Sequence, residues 1–124
     1  MLSISKQEFK KIVEQALASL PEKFKNKLNN VAIFVEDEPT EQQLNEMHLK
    51  RGDLLFGLFE GYAQAKRLNF GPVFPDRITI FRKAILSQSD TLNELKQKII
   101  STVKHEIAHH FGSDELGAAK AGKR

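Results

Sequence analysis

The stretch "DTLNELKQKIISTVKHEIAHHF", residues 90–111, decides the fold of this chain because it predicts one long amphipathic helix. Asp90 or Thr91 can cap its start, and Glu94 is spaced to complete a capping box from Thr91. Apolar residues then recur at helical period and predict one broad buried face: Leu92, Leu95, Ile99, Ile100, Val103, Ile107 and Phe111. Other elements of the chain must cover that face.

The elements before this helix are short. Ser5 and Glu8 have capping-box spacing and precede an apolar stripe that runs from Phe9 to Leu20, which predicts a first helix. Pro21 ends this helix or opens a second short one, and Asn29 and Asn30 predict a turn. Thr40 with Gln43 forms another capping-box pattern, so a further short helix is expected there.

Three runs of β-branched and aromatic residues predict strands: 31–35, 54–59 and 77–81. Gly57, inside the second run, indicates a bulge or a close backbone approach. The order of helix, strand, short helix, strand, strand and helix predicts an α+β fold, in which a small mixed sheet of about three strands packs on helices. We expect one domain over residues 1–124, with 117–124 as a flexible tail.

Composition excludes several classes of protein. The chain has 124 residues, of which 40% are hydrophobic and 28% charged, as expected for one globular core. It has no apolar run of membrane-spanning length and no secretory signal, so a cytoplasmic protein is the default expectation. Because it has no cysteine, disulfides and thiolate zinc sites are excluded. The net charge of +3 is too small to argue for nucleic-acid binding.

Histidines concentrate near the end of the long helix. His105 and His109 are four residues apart, so they share one helix face, and helical rotation points them away from the apolar stripe. Two imidazoles placed in this way can bind one divalent ion. Glu106 lies about a quarter turn from His105, where it can reach a water on the metal without being a ligand.

Zinc usually needs a third protein ligand. Gly112 suits the left-handed conformation just past a helix end, and a turn there would bring the chain back toward the histidines. Glu115 is then the favoured third ligand, and Asp114 is the competing candidate. The expected chemistry is hydrolysis, most simply of a peptide bond, by a zinc-bound water for which Glu106 is the general base. Nickel, cobalt or iron also suit these ligand types.

The segment "HEIAHHFGSDE", residues 105–115, fits the pattern HExxHxxGxxE. This is the zincin signature with the metzincin spacing, but with glutamate in place of the third histidine. The chain therefore resembles the small bacterial zincin-like metallopeptidases, also called minimal zincins. "LLFGLFEGY" is similar to that family's "LLGLYEG", "PDRITIFRKAI" to "PDRITIYRGPI" and "TVKHEIAHHFG" to "TVVHEIAHHFG". The resemblance covers about residues 54–116.

The resemblance implies a compact α+β domain with one zinc ion and peptidase activity. It implies that His105 and His109 are metal ligands, that Glu106 is the catalytic base and that Glu115 is the acidic third ligand. Because this ligand is often aspartate in the family, Asp114 stays an alternative. No methionine follows the motif, so the Met-turn of metzincins is absent.

The remaining polar residues have simpler expected roles. His110 falls on the apolar face by helical rotation, so we expect it to pack beside the site and not to bind metal. His48 is expected at the surface. Tyr62 could stabilise an oxyanion or pack in a loop. An extended peptide substrate could pair with an exposed strand edge, and the strand at 54–59 and the strand at 77–82 are both candidates.

Two other classes of function stay open. One is a zinc-binding structural or interaction module without turnover, because the sequence identifies no transition-state donor. The other is a zinc-dependent endoribonuclease, because one small bacterial family places three histidines on a comparable helix. That family has glycine at the position of Glu106, and the glutamate here favours water activation instead.

Overall fold

The structure, a computed structural model, describes residues 2–61 and 76–111. The expected α+β fold is confirmed. Its elements, in chain order, are α1 (Lys6–Ala18), α2 (Glu22–Lys27), a 3-10 turn (Leu28–Asn30), β1 (Val31–Glu36), α3 (Glu41–Glu46), β2 (Gly57–Glu60), β3 (Asp76–Phe81), α4 (Arg82–Ser87) and α5 (Leu92–Phe111). No helix in this part of the chain is both long and apolar enough to span a membrane.

The three described strands form one mixed sheet in the order β1-β3-β2. β1 pairs with β3 in parallel, from Val31 opposite Asp76 onward, and β2 pairs with β3 antiparallel, with Gly57 opposite Ile80. β3 is therefore the central strand. Of the two strands that the sequence left as candidates for an exposed edge, β2 is the one at an edge of the sheet among the described residues.

The core lies between one face of this sheet and the helices α1 and α5. β3 contributes Ile78 and Ile80, which are both fully buried. The predicted apolar stripe of α5 covers them with Leu95, Ile99, Val103 and Ile107, all at 0% exposure. Leu92 was expected in the same stripe but is 60% exposed, because it lies in the exposed first turn of the helix. The core therefore holds α5 against the sheet along most of its length.

Predicted caps fix the helix starts. The Glu94 amide donates to Thr91 Oγ1 over 3.1 Å, while a Glu94 carboxylate oxygen accepts from the Asp90 amide over 2.8 Å. The carboxylate of Glu94 thus binds the amide of Asp90, one residue before the Thr91 amide that a capping box from Thr91 would use. At α3, Thr40 and Gln43 form a complete capping box.

The sequence placed some boundaries wrongly. β2 begins at Gly57 and not at residue 54, and Leu54 is 55% exposed. Asn30 ends a short 3-10 helix where a plain turn was expected. Helix α4 was not predicted, because its six residues span too few turns to show a helical period. Residues 62–75 and 112–124, which include Tyr62 and the expected tail at 117–124, lie outside the described part of the chain.

Helix α3 ends with a strained residue that offers a stability test. His48 has a φ of 58°, and the Leu49 amide donates to the Leu44 carbonyl over 2.8 Å, which is the Schellman arrangement. A left-handed backbone conformation costs a non-glycine residue about 1–2 kcal/mol. Glycine avoids this cost, but part of the gain in stability is lost because an unfolded chain with glycine has more conformational entropy. We expect His48→Gly to raise the free energy of unfolding by about 0.5 kcal/mol in urea titrations. His48→Ala is the control. A glycine variant that is no more stable than the alanine variant would show that the backbone of residue 48 is not strained.

Candidate metal centre

The two candidate metal-binding histidines project from α5 on the same side. The rings of His105 and His109 are nearly parallel, with an interplanar angle of 18° and ring centroids 6.0 Å apart. His105 is half-buried and His109 is exposed, so the pair lies beside the buried stripe of the helix. The buried residues of α5 fix the rotation of the helix, and the helix thereby holds both imidazoles at the border between core and solvent.

Glu106 points from the same helix turn toward the sheet. Its side chain is buried, at 3% exposure, and its Oε1 accepts a hydrogen bond from the backbone amide of Phe59 over 3.0 Å. A buried carboxylate needs such a partner, because desolvating the charge without a hydrogen bond is costly. Glu106 is therefore attached to strand β2. Nothing in the sequence indicated this contact, which joins residues 47 positions apart.

The Phe59 amide belongs to the outer edge of β2. The Phe81 amide donates to the Phe56 carbonyl over 2.9 Å, so Phe56 directs its backbone groups at β3. Backbone direction alternates along an antiparallel strand, and Gly57 and Phe59 therefore direct theirs away from β3. Glu106 thus binds an amide on the side of β2 where a further strand could pair.

His110 packs against the same residue of β2. Its ring stacks on that of Phe59, with centroids 4.0 Å apart and an interplanar angle of 18°, and it meets His109 edge-on at 5.4 Å. The expected packing role fits this contact. His110 is nevertheless exposed and not part of the buried apolar face of α5, where helical rotation had placed it.

Gly57 brings β2 unusually close to α5. A Cβ atom built on Gly57 would lie 2.5 Å from Thr102 Cγ2 and 3.2 Å from the Thr79 carbonyl oxygen. Real Cβ atoms do not approach other atoms to 2.5 Å, so a side chain at this position would force Thr102 or the strand to shift. Of the two interpretations offered by the sequence, a bulge or a close backbone approach, the structure has the close approach.

The end of β2 is fixed on the opposite face of the sheet. The carboxylate of Glu60 accepts from Gln43 Nε2 over 3.0 Å and lies 4.0 Å from Arg77 Nε. The Arg77 guanidinium in turn lies over the Phe34 ring, 4.0 Å from its centroid. These side-chain contacts link β2 to α3 and to both other strands. They hold the edge strand in place in addition to its backbone hydrogen bonds with β3.

The donor set of the described residues fits part of a zinc site. The described ranges contain no group of three histidine or acidic side chains that could hold a metal ion. Two imidazole nitrogens on one side of a helix suit zinc, and one carboxylate oxygen of Glu106 is bound to the Phe59 amide. A third ligand would have to come from outside these ranges, where Gly112, Asp114 and Glu115 all lie.

Comparison with known proteins gives two findings. A family model described as zincin-like metallopeptidase matches residues 28–120. Among solved structures, a conserved hypothetical protein from Thermo thermophilus is similar with a TM-score of 0.53 and 21% identity, over 91% of this chain and 99% of that one. At that identity the likeness shows the fold alone. No curated protein is significantly similar to this chain.

Proposed function

Because this chain belongs to the zincin-like metallopeptidase family, we propose that it is a zinc-dependent peptidase that hydrolyses peptide bonds in peptide or protein substrates. One observation carries the proposal. The buried carboxylate of Glu106 lies on the same turn of α5 as two accessible imidazoles and is bound to the edge of a β-strand. This arrangement combines a base, a pair of metal ligands and a surface on which an extended peptide can lie.

His105 and His109 would hold the zinc ion, with Glu115 as the proposed third ligand and Asp114 as the alternative. A zinc ion bound there would polarise the scissile carbonyl and lower the pKa of a water molecule to about 7. Helix α5 presents the two histidines with little freedom, because its opposite side is packed in the core. Such a rigid first pair lowers the cost of ordering the site when metal binds.

Glu106 is the proposed general base. It takes one proton from the attacking water as the water oxygen bonds to the carbonyl carbon of the substrate. It then delivers that proton to the nitrogen of the leaving amine as the carbon–nitrogen bond breaks, and so ends the reaction ionised. The Phe59 amide holds one carboxylate oxygen throughout, which orients the other oxygen for proton transfer.

The outer edge of β2 is the proposed peptide-binding surface. Gly57 directs both of its backbone groups outward, and Phe59 directs its carbonyl outward while its amide is bound to Glu106. An extended peptide could therefore form ladder hydrogen bonds with Gly57 and with the Phe59 carbonyl. Its scissile bond would then lie near Glu106, because the base is bound to the same strand.

Peptide cleavage tests the proposal directly. Zinc-loaded protein is incubated with a diverse peptide library, and new termini are identified by mass spectrometry. We expect cleavage products with the wild-type chain and at least about 100-fold less product with Glu106→Gln, which keeps the size of the side chain and an acceptor for the Phe59 amide. Cleavage of equal extent by the two proteins would contradict the proposal.

A zinc-binding module without turnover is the second candidate. The observation in its favour is the 3% exposure of Glu106, whose Oε1 is already bound to Phe59. On this alternative, the carboxylate serves to fix β2 against α5 and the histidines bind zinc for structure alone. The same library experiment separates the two, because the module cleaves no peptide although it binds one zinc ion.

A further inference from the structure

Strand β2 lies along a single row of side chains on α5. Thr102, Glu106 and His110 are four residues apart, so they follow one another on one face of the helix. Thr102 meets Gly57, Glu106 binds the Phe59 amide and His110 stacks on the Phe59 ring. Two strand residues advance about 6.8 Å and four helix residues about 6.0 Å, so the step from Gly57 to Phe59 on the strand matches the step from Thr102 to Glu106 on the helix.

We infer that Gly57 and Thr102 are positioning residues, which set the distance between the β2 edge and the Glu106 carboxylate. The contact between them leaves no room for a side chain at position 57, since an added Cβ atom would lie 2.5 Å from Thr102 Cγ2. It lies one helical turn from Glu106 and two strand residues from Phe59. Any change in spacing at this contact is therefore transmitted directly to the hydrogen bond that holds the base.

Thr102 cannot easily move aside. Its Oγ1 donates to the Lys98 carbonyl over 2.7 Å, which fixes the rotamer and directs Cγ2 at the strand. The same added Cβ atom would also lie 3.2 Å from the Thr79 carbonyl oxygen, part of the central strand β3. A side chain at position 57 would be wedged between α5 and β3, so β2 itself would have to shift away from the helix.

For catalysis the inference rests on the proposed peptidase function. If β2 holds the peptide and α5 holds the base, their spacing sets the distance from Glu106 to the attacking water and the scissile bond. Misplacement of a reacting group by about 1 Å can reduce the rate about 100-fold. We expect Gly57→Ala to lower kcat for a cleaved peptide by about 10- to 100-fold, with a smaller change in KM.

The matched experiment uses a compensating substitution. Thr102→Ser removes Cγ2 but keeps the hydroxyl that bonds Lys98, so Gly57→Ala/Thr102→Ser should recover kcat to within about threefold of wild type. Gly61→Ala is the control, because its added Cβ would lie 3.3 Å from a carboxylate oxygen of Asp76, a much milder contact than the 2.5 Å at Gly57. It should leave kcat unchanged. Equal losses in the single and double variants would overturn the inference.

A readout independent of activity separates this inference from the proposed function. The Phe59 amide proton, bonded to a carboxylate, should give a downfield NMR resonance that moves upfield in Gly57→Ala and returns in the double variant. An unchanged resonance in Gly57→Ala would overturn the inference. If the resonance behaves as expected but no peptide is cleaved, Gly57 and Thr102 do position Glu106 against β2, and the peptidase proposal fails.

Folding of the variants is monitored by circular dichroism and thermal unfolding. If Gly57→Ala fails to fold, the double variant should restore the folded state, because it removes the clash between the Cβ atom of residue 57 and Thr102 Cγ2. A double variant that also fails to fold would overturn the inference. The Gly61→Ala control must fold like the wild type.

Discussion

His105→Ala and His109→Ala should each reduce bound zinc from about one ion per chain to below about 0.1 after dialysis against metal-free buffer. The two rings are nearly parallel and their centroids are 6.0 Å apart on one side of α5, so they are proposed to supply two of three protein ligands. Loss of one ligand leaves too few donors for tight binding. Metal content is measured by atomic emission on protein whose fold is checked by circular dichroism.

The control for this prediction is another histidine of the chain. His48 lies at the end of α3, is exposed and has a φ of 58°, a conformation that asparagine also tolerates. His48→Asn should therefore retain the full zinc content. If His105→Ala or His109→Ala also retained stoichiometric zinc, the proposed metal centre would be wrong.

Glu106→Gln should lower kcat for peptide cleavage by about 10²–10⁴-fold, the usual contribution of general acid–base catalysis. Glutamine can still accept the hydrogen bond from the Phe59 amide but cannot take a proton from water. We therefore expect the zinc content to be unchanged and KM to change by less than about threefold. Steady-state kinetics on a peptide found in the library gives both constants.

Comparison with Glu106→Ala isolates the structural part of the same residue. Alanine removes the acceptor of the Phe59 amide and leaves this amide of a buried residue without its partner, which costs about 1–3 kcal/mol. Glu106→Ala should therefore be less stable than Glu106→Gln in urea unfolding, while both cleave peptide at least about 100-fold more slowly than the wild type. Equal stability of the two variants would show that the hydrogen bond to Phe59 contributes nothing.

The features that the sequence could predict, namely helix faces, strand positions and helix caps, follow from local periodicity and spacing. The positions of His105, Glu106 and His109 on α5 follow from the pitch of a helix, once the apolar stripe shows which face is buried. The same reasoning placed the strands β1 and β3 to within one residue and found the caps at Thr40 and Thr91. These features depend on residues that are near one another in the chain.

The contacts that the sequence could not predict join residues that are far apart in the chain. The hydrogen bond between Glu106 and Phe59 joins residues 47 positions apart, and either residue alone has many equally reasonable partners. Gly57 signalled a close approach but not the identity of its neighbour, Thr102. The roles of Glu115 and Asp114 stay predictions, since both lie outside the described residues.

Titration of metal-free protein with zinc during cleavage of one peptide tests whether a zinc ion held by His105 and His109 works with Glu106 to cut peptides. For the wild type we expect the rate to rise to a plateau at one equivalent of zinc. Glu106→Gln should bind the same equivalent of zinc but cleave the peptide at least about 100-fold more slowly. A rate that is independent of zinc, or equal in the two proteins, would show that the proposed metal centre does not catalyse the cleavage.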